Sequence, residues 1–454
     1  MKLLYRNTPG RPVTQINLIF PRTGACLDRP ERQGLTRFTL RQMLMGAGGM
    51  STGELNGRLE RLGASTGFSL ANDHFTLRLI SLSENLEAAL ELFLLSLHQP
   101  RFDAGEFAQL QTELVSGWVA ERDESKQTRA HEVYTHRVYG GGPQGYLSDG
   151  VLQGLRAITL DEVKSHYRTL FSGDAPLMAV LSDLPQGAME SQVVSRLTIP
   201  DGNSREAADG AAGPGGSGAD ESESAQNGIY PWDGFSPPRR SGRRITIVSD
   251  ENAQTDEMIM GYFSTHQKDP DWHLHQLISL IFGGDMNSRL FRVVRGERGL
   301  SYGASCWYDA SSGRVPRNLP APFSFYSFPS VEHSAEAAPL LVSLYEDFVR
   351  EGPSGDELTL ARESLINSHP FRMDIPEKQL SLEMQNSLYG VTTAGYEEYR
   401  QKMEAVTQED IRGALNRCHR PEALEIVMLG DPSRLEPIAE KISNVETIET
   451  IHYP

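Results

Sequence analysis

The sequence predicts an α+β protein of two homologous lobes, each a mainly antiparallel sheet with helices packed on it. Three observations carry this. A run almost without large apolar residues, within 201–240, divides the chain. The flanking halves, 1–200 and 241–454, repeat one another. Inside each half, strand-like alternation gives way to helical stripes in the same order.

Length and composition agree. A chain of 454 residues is too long for one hydrophobic core. Its apolar share of 39% and charged share of 23% suffice for packed cores. The formal charge of −17 argues against nucleic acid and anionic membrane as partners, since both need basic patches. No stretch of about 18 apolar residues is present to span a bilayer. The opening Met1–Asn7 leads into no apolar h-region, so no secretory signal is expected. Cys26, Cys306 and Cys418 form no CxxC pair, and a reducing cytoplasm is the expected setting.

The dividing run, Asp201 to Gly228, is mostly Gly, Ala, Ser, Asp and Glu, which cannot repay its ordering entropy. With Pro237 and Pro238 it suggests a flexible linker over 201–240. The repeat is sharpest near the end of each half. An offset of 248 residues separates Ala157 from Ala405 and Leu181 from Leu429. Thr159 with Glu162, and Thr407 with Asp410, predict capping boxes opening equivalent helices.

Earlier in each half the order also matches. A strand is predicted at Ile16, Leu18 and Phe20, and again at Met258, Met260 and Tyr262. A helix then ends at glycines, at Met43–Gly49 and Ile281–Gly284, and a second follows through Arg58-Leu59 or Arg289-Leu290. The next strand is read at Phe75–Leu79 in one half and Tyr302–Cys306 in the other. Long amphipathic helices follow, with one apolar face from Leu86, Ala89, Leu90, Phe93, Leu94 and Leu97, and another from Leu341, Leu344, Tyr345 and Phe348.

Two segments carry a family resemblance. Gly34–Arg41, then Gly46 and Ser51–Leu55, resembles the zinc-binding segment of the M16 peptidases, the family of pitrilysin, insulysin and the mitochondrial processing peptidase. In that family a helix carries HxxEH: two histidines bind zinc and the glutamate polarises the attacking water. The matching positions here are Arg37, Leu40 and Arg41. Arginine has no lone pair to give a metal, and leucine is no base. Ser116, Gly117 and Trp118 stand where the resemblance places a last ligand. No zinc site is expected there. His131-Glu132 and His136 do not replace it, because five residues turn a helix by about 140°. His273 and His275, two apart, fail in the same way.

The second segment, Gly283 to Tyr302, is similar to the C-terminal signature of the same family. The resemblance maps a substrate-facing arginine and tyrosine onto Arg295 and Tyr302. It implies that the arginine orients peptide carbonyls and the tyrosine stabilises the oxyanion. Gly67–Ala71, matching the family's substrate-pairing edge strand, lacks the usual asparagine.

Some family members divide labour between two chains facing each other as a clamshell. The resemblance therefore implies an M16/LuxS-like metalloenzyme fold forming half of a clamshell. The chain is expected to be inactive alone and to bind no cofactor itself. Zinc is expected on an HxxEH-bearing partner, and the substrate is a peptide or unfolded polypeptide. The alternative is a structural or peptide-binding protein with no role in proteolysis.

Overall fold

The structure, a computed structural model, describes residues 2–171, 174–197, 199–200, 230–309 and 316–453. The first sheet contains β1 (Lys2–Asn7), β2 (Val13–Pro21), β3 (Ser65–Leu70), β4 (His74–Leu82) and β5 (Leu177–Ser182). Its order is β1-β5-β2-β4-β3, antiparallel except for β1 with β5. The longer helices of this half are α1 (Leu35–Met43), α2 (Thr52–Arg61), α3 (Leu86–His98), α4 (Ala104–Glu124), α5 (Lys126–Val138) and α6 (Leu160–Leu170).

The second half repeats the plan. Its strands are β6 (Arg243–Ser249), β7 (Glu257–Phe263), β8 (Ser301–Tyr308), β9 (Pro322–Pro329), β10 (Glu425–Gly430) and β11 (Val445–Ile451), in the order β11-β6-β10-β7-β9-β8. Removing β11 leaves the order of the first sheet, strand for strand. The corresponding helices are α7 (Trp272–Ser279), α8 (Arg289–Phe291), α9 (Ser334–Glu351), α10 (Gly355–Arg372), α11 (Pro376–Tyr389) and α12 (Gln408–Cys418). Both expected capping boxes are formed, Thr159 with Glu162 opening α6 and Thr407 with Asp410 opening α12. The predicted core stripes are buried on α3 and α9, except that Leu94 and Leu344 are half-buried at their margins. β5 and β10 are buried along their whole length, as central strands covered on both faces must be.

One correspondence needs correction. The strand at Phe75–Leu79 belongs to β4, whose partner in the repeat is β9; Tyr302–Cys306 belongs to β8, whose partner is β3. The Ser65–Leu70 stretch reads weakly as a strand because its exposure does not alternate cleanly.

The compact units also depart from the boundaries 1–200 and 241–454. One comprises Met1–Val119, Tyr146–Phe235 and Pro376–Met384; the other Ala120–Gly145, Ser236–Ile375 and Gln385–Pro454. Each unit thus takes in the fifth helix of the other half, wholly for α5 and over its first turns for α11. α5 packs on β7 and β10, and Tyr134 bonds the Ser324 hydroxyl at 2.8 Å. Gly261 makes room for it: a Cβ there would lie 2.4 Å from the Tyr134 hydroxyl. In the first unit Leu380 of α11 is buried, and Glu383 and Glu377 pair with Arg6 and Arg11.

Of the linker expected over 201–240, residues 201–229 lie outside the described residues. The remainder is packed. Trp232 Nε1 donates to Asn72 Oδ1 at 2.8 Å, the Tyr230 hydroxyl to Asp73 O at 2.9 Å, and Arg22 forks onto Asp233 at 2.9 and 2.6 Å. In the second unit Arg240 pairs with Glu425, the two side chains only 4% and 3% exposed, and donates to Arg137 O at 2.9 Å.

The second core also holds a polar chain. The Tyr308 hydroxyl meets His275 Nδ1 at 3.0 Å and His419 Nε2 at 2.9 Å, and His419 Nδ1 meets the Tyr345 hydroxyl at 2.8 Å. Burial lowers His275 to about 4 and His419 well below its usual range. Both stay neutral folded but protonate when unfolded, so they favour the fold above the unfolded value and lose that contribution as pH falls below it. Metal-free chain at pH 5 should lose about 2 kcal/mol from His275 alone relative to pH 8. Urea unfolding followed by Trp272 and Trp307 fluorescence reads this out. Measured at both pH values, His275→Gln should show less of this loss than wild type, and an equal loss in the two would contradict it.

Candidate functional site

The helix that the resemblance marks as the zinc helix is α1. Its N-terminus is anchored by buried Asp28, which accepts from Gly34 N at 2.7 Å, Thr36 N at 2.9 Å and Thr36 Oγ1 at 2.7 Å. Burial pushes the Asp28 carboxyl up to about 7 against the pull of those bonds. His166 of α6 meets Thr36 Oγ1 at 2.8 Å, and burial lowers it to about 4. Asp28 and His166 escaped sequence reading because neither lies on an apolar stripe or in a recognised motif.

On this helix Leu40 is fully buried in the core. Arg37 is ion-paired with Asp149, and Arg41 Nη2 reaches Glu113 Oε1 of α4 at 2.6 Å. Arginine–carboxylate pairs therefore occupy the positions where the family places metal ligands. Further along α4, the Ser116 hydroxyl bonds back to Thr112 O at 2.7 Å and Trp118 Nε1 donates to Gly150 O at 3.2 Å. Gly117 offers no side chain. None of Arg37, Leu40, Arg41, Ser116, Gly117 and Trp118 offers a cation a neutral nitrogen or a carboxylate.

His131, Glu132 and His136 do not converge either. His131 stacks on Trp307 at 6.1 Å between ring centroids, Glu132 pairs with Arg122, and His136 is exposed. β3 lies at the edge of its sheet, as expected of Gly67–Leu70. The asparagine just beyond it, Asn72, is buried and donates to Tyr146 O at 2.8 Å.

The second candidate is built differently. Gly283 closes the helical stretch after α7 against β8; a Cβ there would lie 2.7 Å from the Cys306 backbone nitrogen. Asp285 shapes the turn that follows, accepting from Asn287 N at 2.8 Å, and α8 runs on as a wider helix over Arg292–Glu297. Four arginines lie along it. Arg289 forks onto Glu357 at 3.0 and 2.6 Å, Arg292 pairs with Glu297 at 2.6 Å, and Arg298 with Glu336 at 3.4 Å. Arg295 has no carboxylate partner among the described residues. Its guanidinium lies 4.2 Å from the Tyr302 ring centroid and 5.0 Å from that of Phe291.

Tyr302 stands 74% exposed near the start of β8. The register between β8 and β9 slips between Ser301 and Ala304, so one extra residue is accommodated there. Such bulges bend a strand and re-aim a side chain. Gly303 permits it: a Cβ at that position would come within 3.0 Å of the Phe328 ring. Among the described strands β8 lies at the edge of its sheet, the position at which an added strand can pair. The structure thus brings together Arg295 and Tyr302, the two positions onto which the resemblance maps a substrate-facing pair. The donors are held by stacking rather than by a counter-ion, which leaves the guanidinium fork free for a carbonyl or an oxyanion.

Comparison with known proteins bears on both candidates. Residues 2–146 match the family model described as insulinase (peptidase family M16), and residues 157–365 match the one described as peptidase M16 inactive domain. No curated protein matches the sequence. Among solved structures the chain is similar to a peptidase M16 inactive domain from Pseudomonas fluorescens, with TM-score 0.75 and 21% identity over 94% of this chain and 95% of that one. It is also similar to a protease from Helicobacter pylori, TM-score 0.74 and 14% identity over 94% and 96%. A conserved protein from Enterococcus faecalis V583 gives TM-score 0.74 and 19% identity over 94% and 96%. At these identities the likeness speaks for the fold.

Proposed function

Since the chain belongs to the M16 peptidase family, we propose that it is the non-catalytic, substrate-binding subunit of a heterodimeric zinc metallopeptidase. It would contribute Arg295 and Tyr302 to a composite site whose zinc is held by an HxxEH-bearing partner. Peptides or unfolded segments are the substrates. The observation that carries this reading is the contrast within one chain. The α1 arginines are consumed in ion pairs, whereas Arg295 is left without one beside an exposed tyrosine on an open strand edge.

Arg295 donates to substrate carbonyls through its fixed fork. Tyr302 donates to the oxyanion as the tetrahedral intermediate forms, where a preorganised donor is worth most. The edge of β8 takes the peptide backbone as an added strand. The zinc, on the partner, supplies the activated water. No described helix is long and apolar enough to cross a membrane. The three cysteines are free thiols, which fits the cytoplasm as the place of action.

The test is a peptidase assay on the chain alone, on the chain with its zinc-bearing partner, and on the complex carrying Arg295→Ala. The chain alone should show no chelator-sensitive hydrolysis, and the complex should. Losing a charged donor costs about 1.5–3 kcal/mol, so Arg295→Ala should lower kcat/KM by roughly 10- to 100-fold while assembly persists. An unchanged kcat/KM in an intact complex would contradict the substrate role and favour the structural or peptide-binding alternative.

A further inference from the structure

By spacing alone His275 is no ligand with His273, since two positions on a helix point apart. The fold supplies what spacing could not. α7 and α12 pack against each other, which brings His275 next to Cys418, the last residue of α12. The segment leading into α7 adds Asp269. One ligand atom from each of Asp269, His275 and Cys418 lies within 4.8 Å of the other two.

The histidine is the telling member. It is 0% exposed, and its Nδ1 is engaged by the Tyr308 hydroxyl at 3.0 Å, while Nε2 has no hydrogen-bond partner. A buried ring nitrogen left unsatisfied costs about 1–3 kcal/mol, which a ligand on that nitrogen would recover. The nitrogen available to the cluster is therefore Nε2. The contact to Tyr308 is the kind of outer-shell bond that fixes the tautomer and ring plane of a metal-binding histidine.

Proton counting along the chain is consistent. If Tyr308 donates to His419 Nε2, then His275 Nδ1 donates to the Tyr308 oxygen and Nε2 keeps its lone pair. His419 Nδ1–H then donates to Tyr345. The reverse ordering places a proton on Nε2, and a cation selects the first. Asp269 is pre-oriented too: its Oδ2 accepts from Thr265 Oγ1 at 2.6 Å and its Oδ1 from Asp271 N at 2.9 Å. Each oxygen retains a lone pair for a metal.

We propose that Asp269, His275 and Cys418 form a divalent-cation site for zinc, distinct from the α1 positions and independent of any partner. One carboxylate, one thiolate and one neutral imidazole balance the two charges of Zn²⁺, so the occupied site is neutral. The mixed oxygen, nitrogen and sulfur donors suit zinc and exclude calcium and magnesium. On binding, the Cys418 thiol loses its proton to solvent as the Zn–S bond forms. Tetrahedral zinc requires ligand separations of about 3.3–3.6 Å. Asp269 and Cys418 are partly exposed and can close the remaining gap by side-chain rotation. The fourth position is left for water. The expectation that the chain binds no cofactor itself rests on the α1 positions and on the spacing within His131/His136 and His273/His275, and Asp269 and Cys418 enter neither.

The full chain, stripped with chelator, is given Zn²⁺ and dialysed, and the retained metal is measured. Stoichiometric zinc is expected in the wild type and in Cys26→Ser, whose thiol lies elsewhere. It should be lost in Cys418→Ser and Asp269→Asn. Co²⁺ should give a thiolate-to-cobalt charge-transfer band in the wild type and none in Cys418→Ser. Circular dichroism of the metal-free variants checks that both fold. Loss of all zinc from the wild type on dialysis, or full retention by folded Cys418→Ser and Asp269→Asn, would overturn the proposal.

Discussion

Replacing Tyr302 by phenylalanine should lower turnover of the assembled peptidase by about 10²-fold or more, the usual consequence of removing one oxyanion donor. The substitution is selective. The ring remains, so the stacking of Arg295 over it at 4.2 Å persists, and the exposed side chain supports no core. Binding contacts made equally in ground and transition states are unaffected, so KM should change little and the loss should fall on kcat. Steady-state kinetics on a cleavable peptide, with the complex checked by size-exclusion chromatography, measures both. Unchanged kcat would remove the tyrosine hydroxyl from the chemistry.

The second large effect concerns stability. Arg240→Met should destabilise the second unit by about 3–5 kcal/mol, because it strands Glu425 as an unpaired buried carboxylate. It also deprives Arg137 O, at the end of α5, of its 2.9 Å donor. Burial already pushes the Glu425 carboxyl up even with Arg240 in place. Without the arginine it rises further, so the variant should be weakest at high pH, where the unpaired charge must be held. Arg240→Met with Glu425→Leu should recover most of the loss, since a buried pair replaced by apolar groups is often near neutral. Urea unfolding of the single and double variants decides this. A single variant within about 1 kcal/mol of wild type would show that the pair is not the element holding Ser236–Arg243 to β10.

What was legible in the sequence is what local chemistry specifies. Thr159/Glu162 and Thr407/Asp410 satisfy helix N-termini with their own side chains, so the repeat could be read where they stand. Arg295 and Tyr302 were reached through the family resemblance, and they lie on consecutive elements joined by a short turn. The rest depends on contacts between distant segments. An amphipathic α5 advertises an apolar face but not which sheet it will cover, so its place in the second unit could not be read. Trp232 and Arg240 look like the tail of a linker until Asn72 and Glu425 are found beside them. The bulge at Tyr302 is a register property of two strands. Asp269, His275 and Cys418 are assembled by helix packing across more than a hundred positions of sequence, with Tyr308 as the only nearby clue.

The two halves of the molecule have diverged in opposite directions from one plan. In the first, positively charged side chains fill the metal positions and are neutralised by Asp149 and Glu113. These pairs are partly exposed and worth at most about 1 kcal/mol each. In the second, packing and a bulge hold two polar side chains outward with their hydrogen-bonding capacity unspent.

The most direct measurement is native affinity purification of the full-length chain with every co-purifying protein identified by mass spectrometry. A divided site requires a stoichiometric partner of similar length that carries HxxEH, and recovery of such a partner is the predicted result. Recovery of the chain alone, or with partners that lack any zinc motif, would contradict it and leave the structural or peptide-binding alternative.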